Sequence, residues 1–406
     1  MDLRSKDTRY IIPEYSVTGD ILSYQKCGLQ YRYQNKGELP PSKPVQLWFG
    51  QFIHGVMEEA FLRWSRGTNT PPFPWDWGTQ VRDIETTVFR RLMAGGLRPP
   101  RWIFCPYDSP NTSQGSCDDG NHPHKLIASK RVLAAINTWS PHLFPLISEA
   151  EVKLKGTRAM PNYRPNTSRS NYYGITGIID VLASVKLQNA QSDNLILKKI
   201  REANGGKEIL EGKGNEEYEI IIDYKGTSRP LSKHNLSHDE WREHQDQVLT
   251  YTWLREKQPG TNKVKIGILF YLNELVYSNE NMLNWKKILK RPKDLITDVM
   301  PKGNDLKLIT DWKSKDPPPS LTEEFLVDRS IRVIVIDRNK INDSLVRNDV
   351  VVESIENSVR DETNGRPIIN TWQMNPEEET CTACDFKTFC PRSTDRRAPS
   401  VSNAVM

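Results

Sequence analysis

The sequence has no apolar run near the roughly 20 residues that cross a bilayer, and its first residues, MDLRSKDTRY, carry no apolar stretch of the signal-peptide kind. A soluble, cytoplasmic protein with no membrane partner is therefore expected. Six cysteines in 406 residues are too few for a disulfide scaffold in a chain of this size. No internal repeat is present, which argues against a solenoid or propeller. A strong charge of one sign is also missing. The chain sets 56 Lys and Arg against 51 Asp and Glu, a net +5 that permits a polyanionic partner without demanding one. With 37% hydrophobic residues, the chain can nonetheless bury a sizeable core.

The apolar residues that are present fall into two regimes. Ser16 or Thr18 can cap a short helix that runs through Ile21 and Leu22 towards Tyr24, with Cys27 at its end. Helical spacing from about Phe49 to Trp64 predicts a longer helix that stops near Gly67. A Pro/Trp-rich loop follows, then helices around Val81 to Met93 and Lys130 to Trp139. Beyond these the pattern changes to alternation and short apolar runs. Strands are expected at Ala150 to Leu154, Ile175 to Val185, Tyr218 to Lys225, Val264 to Leu272 and Ile331 to Ile336. Ser237 with Glu240 makes a capping box for a helix to about Glu256, and a last helix spans about Ser344 to Arg360. The fold class is therefore α/β.

The strongest local chemical signal is Asp223-Tyr224-Lys225, which ends the apolar run Ile220-Ile221-Ile222. With a period of two, Asp223 and Lys225 project from one face and Tyr224 from the other. Alone, such a tripeptide reads more readily as a strand reaching solvent. Asp180 stands in a second apolar strand, Gly177-Ile178-Ile179-Asp180, where a carboxylate is costly unless paired or bound to a cation. Two converging carboxylates suit a hard divalent ion such as Mg2+ or Mn2+. The competing reading is an Asp180–Lys225 salt bridge. His54, with Glu58 one turn on, lies on the predicted 49–64 helix, where a histidine is more often a hydrogen-bonded core residue than a ligand. Gln247 and Tyr251, at i and i+4, can face one site. Near the C-terminus, Cys381-x2-Cys384-x5-Cys390 supplies three thiols, too few for a closed four-ligand site.

Taken in order, these elements resemble the RecB-type nucleases of the PD-(D/E)XK superfamily, which includes AddB-like and CRISPR-associated adaptation nucleases. The order in that family is Cys, a Gly-x-x-x-His helix, a Gly-x-x-Asp strand, an Asp-Tyr-Lys strand, a Gln-x-x-x-Tyr helix and three clustered cysteines. The resemblance implies a restriction-endonuclease-like core, a central mixed sheet flanked by helices. It implies that Asp180 and Asp223 hold the metal with the Tyr224 carbonyl and His54, and that Lys225 orients the attacking water. Gln247 and Tyr251 would position the nucleic-acid backbone or Lys225. It further implies that Cys27 joins Cys381, Cys384 and Cys390 around a 4Fe-4S cluster that ties the two ends of the domain together, with zinc as the alternative occupant. The chain departs from the family at Gly28, often Pro, and at Gly226, often Thr or Ser.

The expected activity is hydrolysis of DNA, single-stranded or with free ends, in repair, CRISPR adaptation or phage defence, with protein partners in such a complex. The alternative is a cluster-bearing nucleic-acid binding subunit whose nuclease site is dispensable. The expected organisation is a single domain, 1–391, with insertions at about 95–126, 188–216 and 280–320, and a disordered tail, 392–406. Cys105, Cys117, His122 and His124 are spaced too irregularly for a zinc knuckle. Lys286, Lys287, Lys290, Arg291 and Lys293 beside Trp285, and Arg98 and Arg101 beside Trp102, are of the kind that tracks a phosphate backbone, although charge runs are more often solvated faces. Trp75 and Trp77 either stack bases or pack their loop down.

Overall fold

A computed structural model describes residues 12–36, 45–67, 71–97, 123–165, 167–186, 193–210, 217–230, 232–233, 240–290, 295–375, 380–381, 384–388 and 390–393. Ser237, Arg98, Arg101, Trp102, Cys105, Cys117, His122, Arg291, Lys293 and residues 394–406 lie outside the described residues, so the readings that depend on them stand as expectations.

Six strands form one sheet: β1 (Glu14–Ser16), β2 (Ile147–Ala159), β3 (Tyr172–Lys186), β4 (Glu217–Lys225), β5 (Val264–Tyr271) and β6 (Ile331–Val335). β3 runs antiparallel to β2 and β4 and parallel to β1, β4 is parallel to β5, and β5 is antiparallel to β6, so the sheet is mixed. The parallel β4–β5 pair needs a crossover, and a helix lies between the two strands in sequence.

Helices cover both faces. α1 (Val45–Arg66), α2 (Arg82–Ala94), α3 (Pro123–Leu143) and the short α4 (Leu195–Glu202) bury their apolar residues against one face, with Ile220, Ile222 and Tyr224 of β4 in the same core. Ile221 points the other way and joins Val248, Leu249 and Leu254 of α5 (Glu240–Glu256). Alternation along a strand buried on both sides thus divides β4 between two cores. The strands and helices expected from hydrophobic spacing are present with ends shifted by up to seven residues, whereas β1 and the helix α4 lie outside that expectation.

Two expected insertions are more than solvated extensions. Between β3 and β4, α4 is capped by the Asn194 side chain and buries Ile196, Leu197 and Ile200. In the stretch from 279 to 330, α6 (Asn279–Lys290), α7 (Gly303–Asp311) and α8 (Glu323–Ser330) enclose a third apolar core of Tyr277, Met282, Trp285, Ile288, Ile309, Trp312 and Phe325. Trp285 is buried and cannot stack on a base, and Lys286 donates to the Trp312 carbonyl, whereas Lys287 and Lys290 are exposed. Trp75 is buried too and stacks on Phe73, which resolves that tryptophan as loop packing.

The three-helix unit is fastened to the sheet by buried charge. Glu274 accepts from the Arg229 amide at 2.7 Å and from the Arg329 guanidinium at 3.0 Å, while Arg229 also pairs with Asp298 and donates to the carbonyls of Asp328, Arg329 and Ile331. Every charge in this knot has a partner, the condition under which buried ions are tolerated. The last long helix, α9 (Arg338–Thr363), packs on α5 with Ile341, Leu345, Val352 and Ile355.

Candidate functional site

Val181 of β3 pairs with Ile222 of β4, and the next residues along the two strands are Asp180 and Asp223. On the other side of β3, Ala150 pairs with Val181 and Val152 with Ile179, which sets Glu151 across from Asp180. Three adjacent strands therefore carry a carboxylate at one level. Glu151 was not singled out by sequence reasoning, because one polar residue in an alternating strand carries no signal. Its φ of 53° is the one local mark that sets it apart within β2, a left-handed backbone that non-glycine residues seldom adopt.

Each aspartate is met by a cation from a different layer. His54, on α1, places Nδ1 3.3 Å from Asp180 Oδ1, and the Tyr224 amide donates to Asp180 Oδ2 at 2.7 Å. Lys225 Nζ lies 2.7 Å from Asp223 Oδ2, as expected for neighbours on one strand face. The alternative Asp180–Lys225 salt bridge is not formed among the described residues. From α5, Gln247 accepts from Lys225 at 2.6 Å through Oε1 and donates through Nε2 to Asp223 Oδ1 at 2.9 Å and to the Tyr251 hydroxyl at 3.1 Å. The i, i+4 pair thus faces the same site, and Gln247 bridges the two members of the Asp-Tyr-Lys tripeptide. The Tyr224 ring points away, into the first core, edge-on to His54.

Burial and charge push the two carboxylates apart. Burial raises Asp180, but His54, the Tyr224 amide and Lys225 outweigh it and hold the group below the usual carboxylate range. Asp223 lies above that range, because burial and the neighbouring Asp180 outweigh the pull of Lys225. His54 is lowered by burial yet carried up to about 9 by Asp180 and Asp223. A small cleft beside them is lined by His54, Glu58, Glu151, Asp180 and Tyr224. There burial, Asp180 and Glu58 raise the Glu151 carboxyl, while Glu58 is held by Arg91 at 2.8 Å.

The donor chemistry, oxygens with one imidazole, suits a hard divalent ion. Asp223 Oδ2 is buried and meets the Lys225 ammonium at 2.7 Å, so a metal ion bound at this oxygen would share it with Lys225. Among the described residues, however, no three His, Cys, Asp or Glu side chains are closed tightly enough to grip a metal ion. His54 and Lys225 supply the countercharge themselves.

The cysteines meet elsewhere. Cys27 follows the helical turn Ser23–Lys26 and lines one cavity together with Cys381, Cys384 and Cys390, none of them in a disulfide. The Phe386 amide donates to Cys384 Sγ at 3.4 Å. Burial pushes the Cys384 thiol up to about 11, and Cys27, Asp385 and Cys390 add to the rise, the mark of thiols crowded without a countercharge. A glycine at 28 has a steric reason: a β-carbon there would stand 2.8 Å from the Tyr24 ring and 3.0 Å from the Gln373 carbonyl. The neighbouring Leu29 amide donates to that carbonyl at 2.9 Å and ties the N-terminal segment to the C-terminal one. Gly226 meets only ordinary contacts.

The sequence matches no protein-family model and no curated protein.

Proposed function

We propose that the chain is a Mg2+- or Mn2+-dependent deoxyribonuclease of the PD-(D/E)XK type. The observation that carries the reading is the joined set of Asp180, Asp223, Lys225 and Gln247. Two buried aspartates of opposite pKa tendency sit on adjacent strands, with a lysine bonded to one of them and fixed by a glutamine. A binding module has no need of such an arrangement.

Asp180 and Asp223 are the oxygen donors of this proposal, with His54 beside them and the Tyr224 carbonyl as the further ligand that the family resemblance implies. A divalent cation bound there lowers the pKa of a water and polarises the phosphate. Lys225 presents its ammonium to the scissile phosphate and offsets the charge that develops on it. Gln247 holds Lys225 and Asp223 in fixed relation, and Tyr251 holds Gln247. Both are positioning residues, a narrower role than contact with the nucleic-acid backbone. The Asp180–His54 pair keeps one carboxylate ionised. The substrate class is DNA, single-stranded or with a free end.

The same proposal assigns Cys27, Cys381, Cys384 and Cys390 to a 4Fe-4S cluster, with structural zinc as the other occupant that four thiolates accept. Closing a loop of roughly 350 residues stabilises the fold through the unfolded state.

Incubating the purified chain with labelled single- and double-stranded DNA, in Mg2+ or Mn2+ against EDTA, tests the reading. Cleavage confined to the metal arms supports it. Binding of DNA without cleavage in any metal supports a nucleic-acid binding subunit instead.

A further inference from the structure

A cavity of about 380 Å³ lies outside the candidate nuclease site, between the loop that joins β2 to β3 and the C-terminal part of α9. Its volume falls within the range of small-ligand sites. Five charged side chains line it: Arg164, Arg169, Arg360, Glu353 and Glu356. Both carboxylates are already engaged. Glu356 accepts from Arg169 Nε at 3.0 Å and from the Tyr15 hydroxyl, and Glu353 accepts from Asn162 Nδ2 at 2.6 Å. Arg169 is therefore neutralised by Glu356.

The other two guanidiniums are not. Among the described residues Arg164 has no carboxylate partner, while the Thr167 and Ser168 amides donate to its carbonyl at 3.0 and 2.9 Å and fix its place in the loop. The carboxylate nearest to Arg360 is Asp361, at 3.9 Å, and that oxygen pair serves Arg366 at 2.6 Å. Two exposed guanidiniums, one from the loop and one from α9, line this one cavity with donors to spare, and arginine is the side chain whose forked donors pair with phosphate oxygens.

We propose that this cavity binds a phosphate group, held between Arg164 and Arg360. The phosphate belongs either to a nucleic-acid strand or to a free nucleotide, and both present the same oxygens. β3 separates the hairpin end at Tyr172 from Asp180 by eight residues, roughly 27 Å of strand, so this site is distinct from the candidate nuclease centre. It stands or falls independently of the nuclease reading.

The test uses the full chain in EDTA with two probes, dTMP and a fluorescein-labelled (dT)12. If the phosphate comes from a free nucleotide, dTMP binds by calorimetry, the R164A/R360A double variant weakens it at least tenfold, and Lys225→Ala leaves it within twofold. If it comes from a strand, dTMP does not bind, but the double variant weakens (dT)12 at least tenfold and lowers the salt slope by about 1.4, as two lost phosphate contacts require. Arg164→Lys with Arg360→Lys recovers part of the affinity in either case, and Glu353→Gln tightens it. Both arginines are on the surface, and an unchanged melting temperature verifies that the variants fold. The proposal is overturned if neither probe binds, or if wild type and double variant bind both probes equally.

Discussion

The Tyr251 ring lies where a β-carbon on Gly177 would stand, with Cε1 2.5 Å from that position. Gly177 is the glycine of the Gly-x-x-Asp strand and Tyr251 the tyrosine of the Gln-x-x-x-Tyr helix, so two separate sequence signals are one steric fit. The bare backbone at 177 lets α5 approach β3 closely enough for Gln247 to reach Asp223. Gly177→Ala should therefore displace Tyr251, at a cost of about 1–3 kcal/mol by chemical denaturation. Nuclease activity should fall further than stability. Unchanged activity in a folded Gly177→Ala protein would contradict the link.

Gln247 makes three hydrogen bonds within the site. Gln247→Leu keeps the volume and removes all three. The expected result is a loss of about 10²-fold in kcat with little change in KM, as for a misplaced catalytic group. A larger effect on KM than on kcat would assign Gln247 to substrate binding.

In metal-free protein His54 titrates near 9, against an ordinary value of 6.5. A raised folded value means that the His54–Asp180 pair stabilises the fold fully below about pH 6.5 and is lost as pH rises through about 9. NMR titration of the imidazole in EDTA reads this directly. A midpoint at or below 6.5 would show that Asp180 does not hold the proton on His54.

How much of this was legible in the sequence depended on whether a residue type announced its surroundings. Short β-branched runs such as Ile220-Ile221-Ile222 read naturally as strand, and the order of Asp180, Asp223, Gln247 and Tyr251 carried the candidate site. Charged residues gave no such signal. Nothing in the sequence marks Arg229, Glu274 and Arg329 as buried, yet three chain segments converge to pair them in the interior. For the same reason the Lys-rich stretch around Trp285 read as a surface strip: its lysines alternate with apolar residues that a small separate core takes up. Glu151 required the register of β2 against β3, which periodicity does not provide.

The Glu274 knot gives a stability prediction unrelated to catalysis. Glu274→Ala leaves the Arg329 guanidinium buried without its carboxylate and the Arg229 amide without its acceptor, a change expected to cost about 3–5 kcal/mol. Urea denaturation measures it. A cost below about 1 kcal/mol would mean that the three-helix unit is not held to the sheet by this pair.

Anaerobically purified protein should contain iron and absorb near ~400 nm, as iron–sulfur proteins do, and Cys27→Ala should lose both properties. Colourless protein with one zinc per chain would assign the four thiols to zinc instead.

The central claim is that Asp223 and its neighbours cut DNA with a divalent metal. The most direct measurement compares wild type with Asp223→Ala, each carrying its normal iron or zinc, on 5′-labelled single-stranded DNA in Mn2+. The account predicts cleavage by the wild type and a fall of at least about 10³-fold in the variant, with the fold unchanged by circular dichroism. Cleavage at wild-type rate by the variant would contradict it.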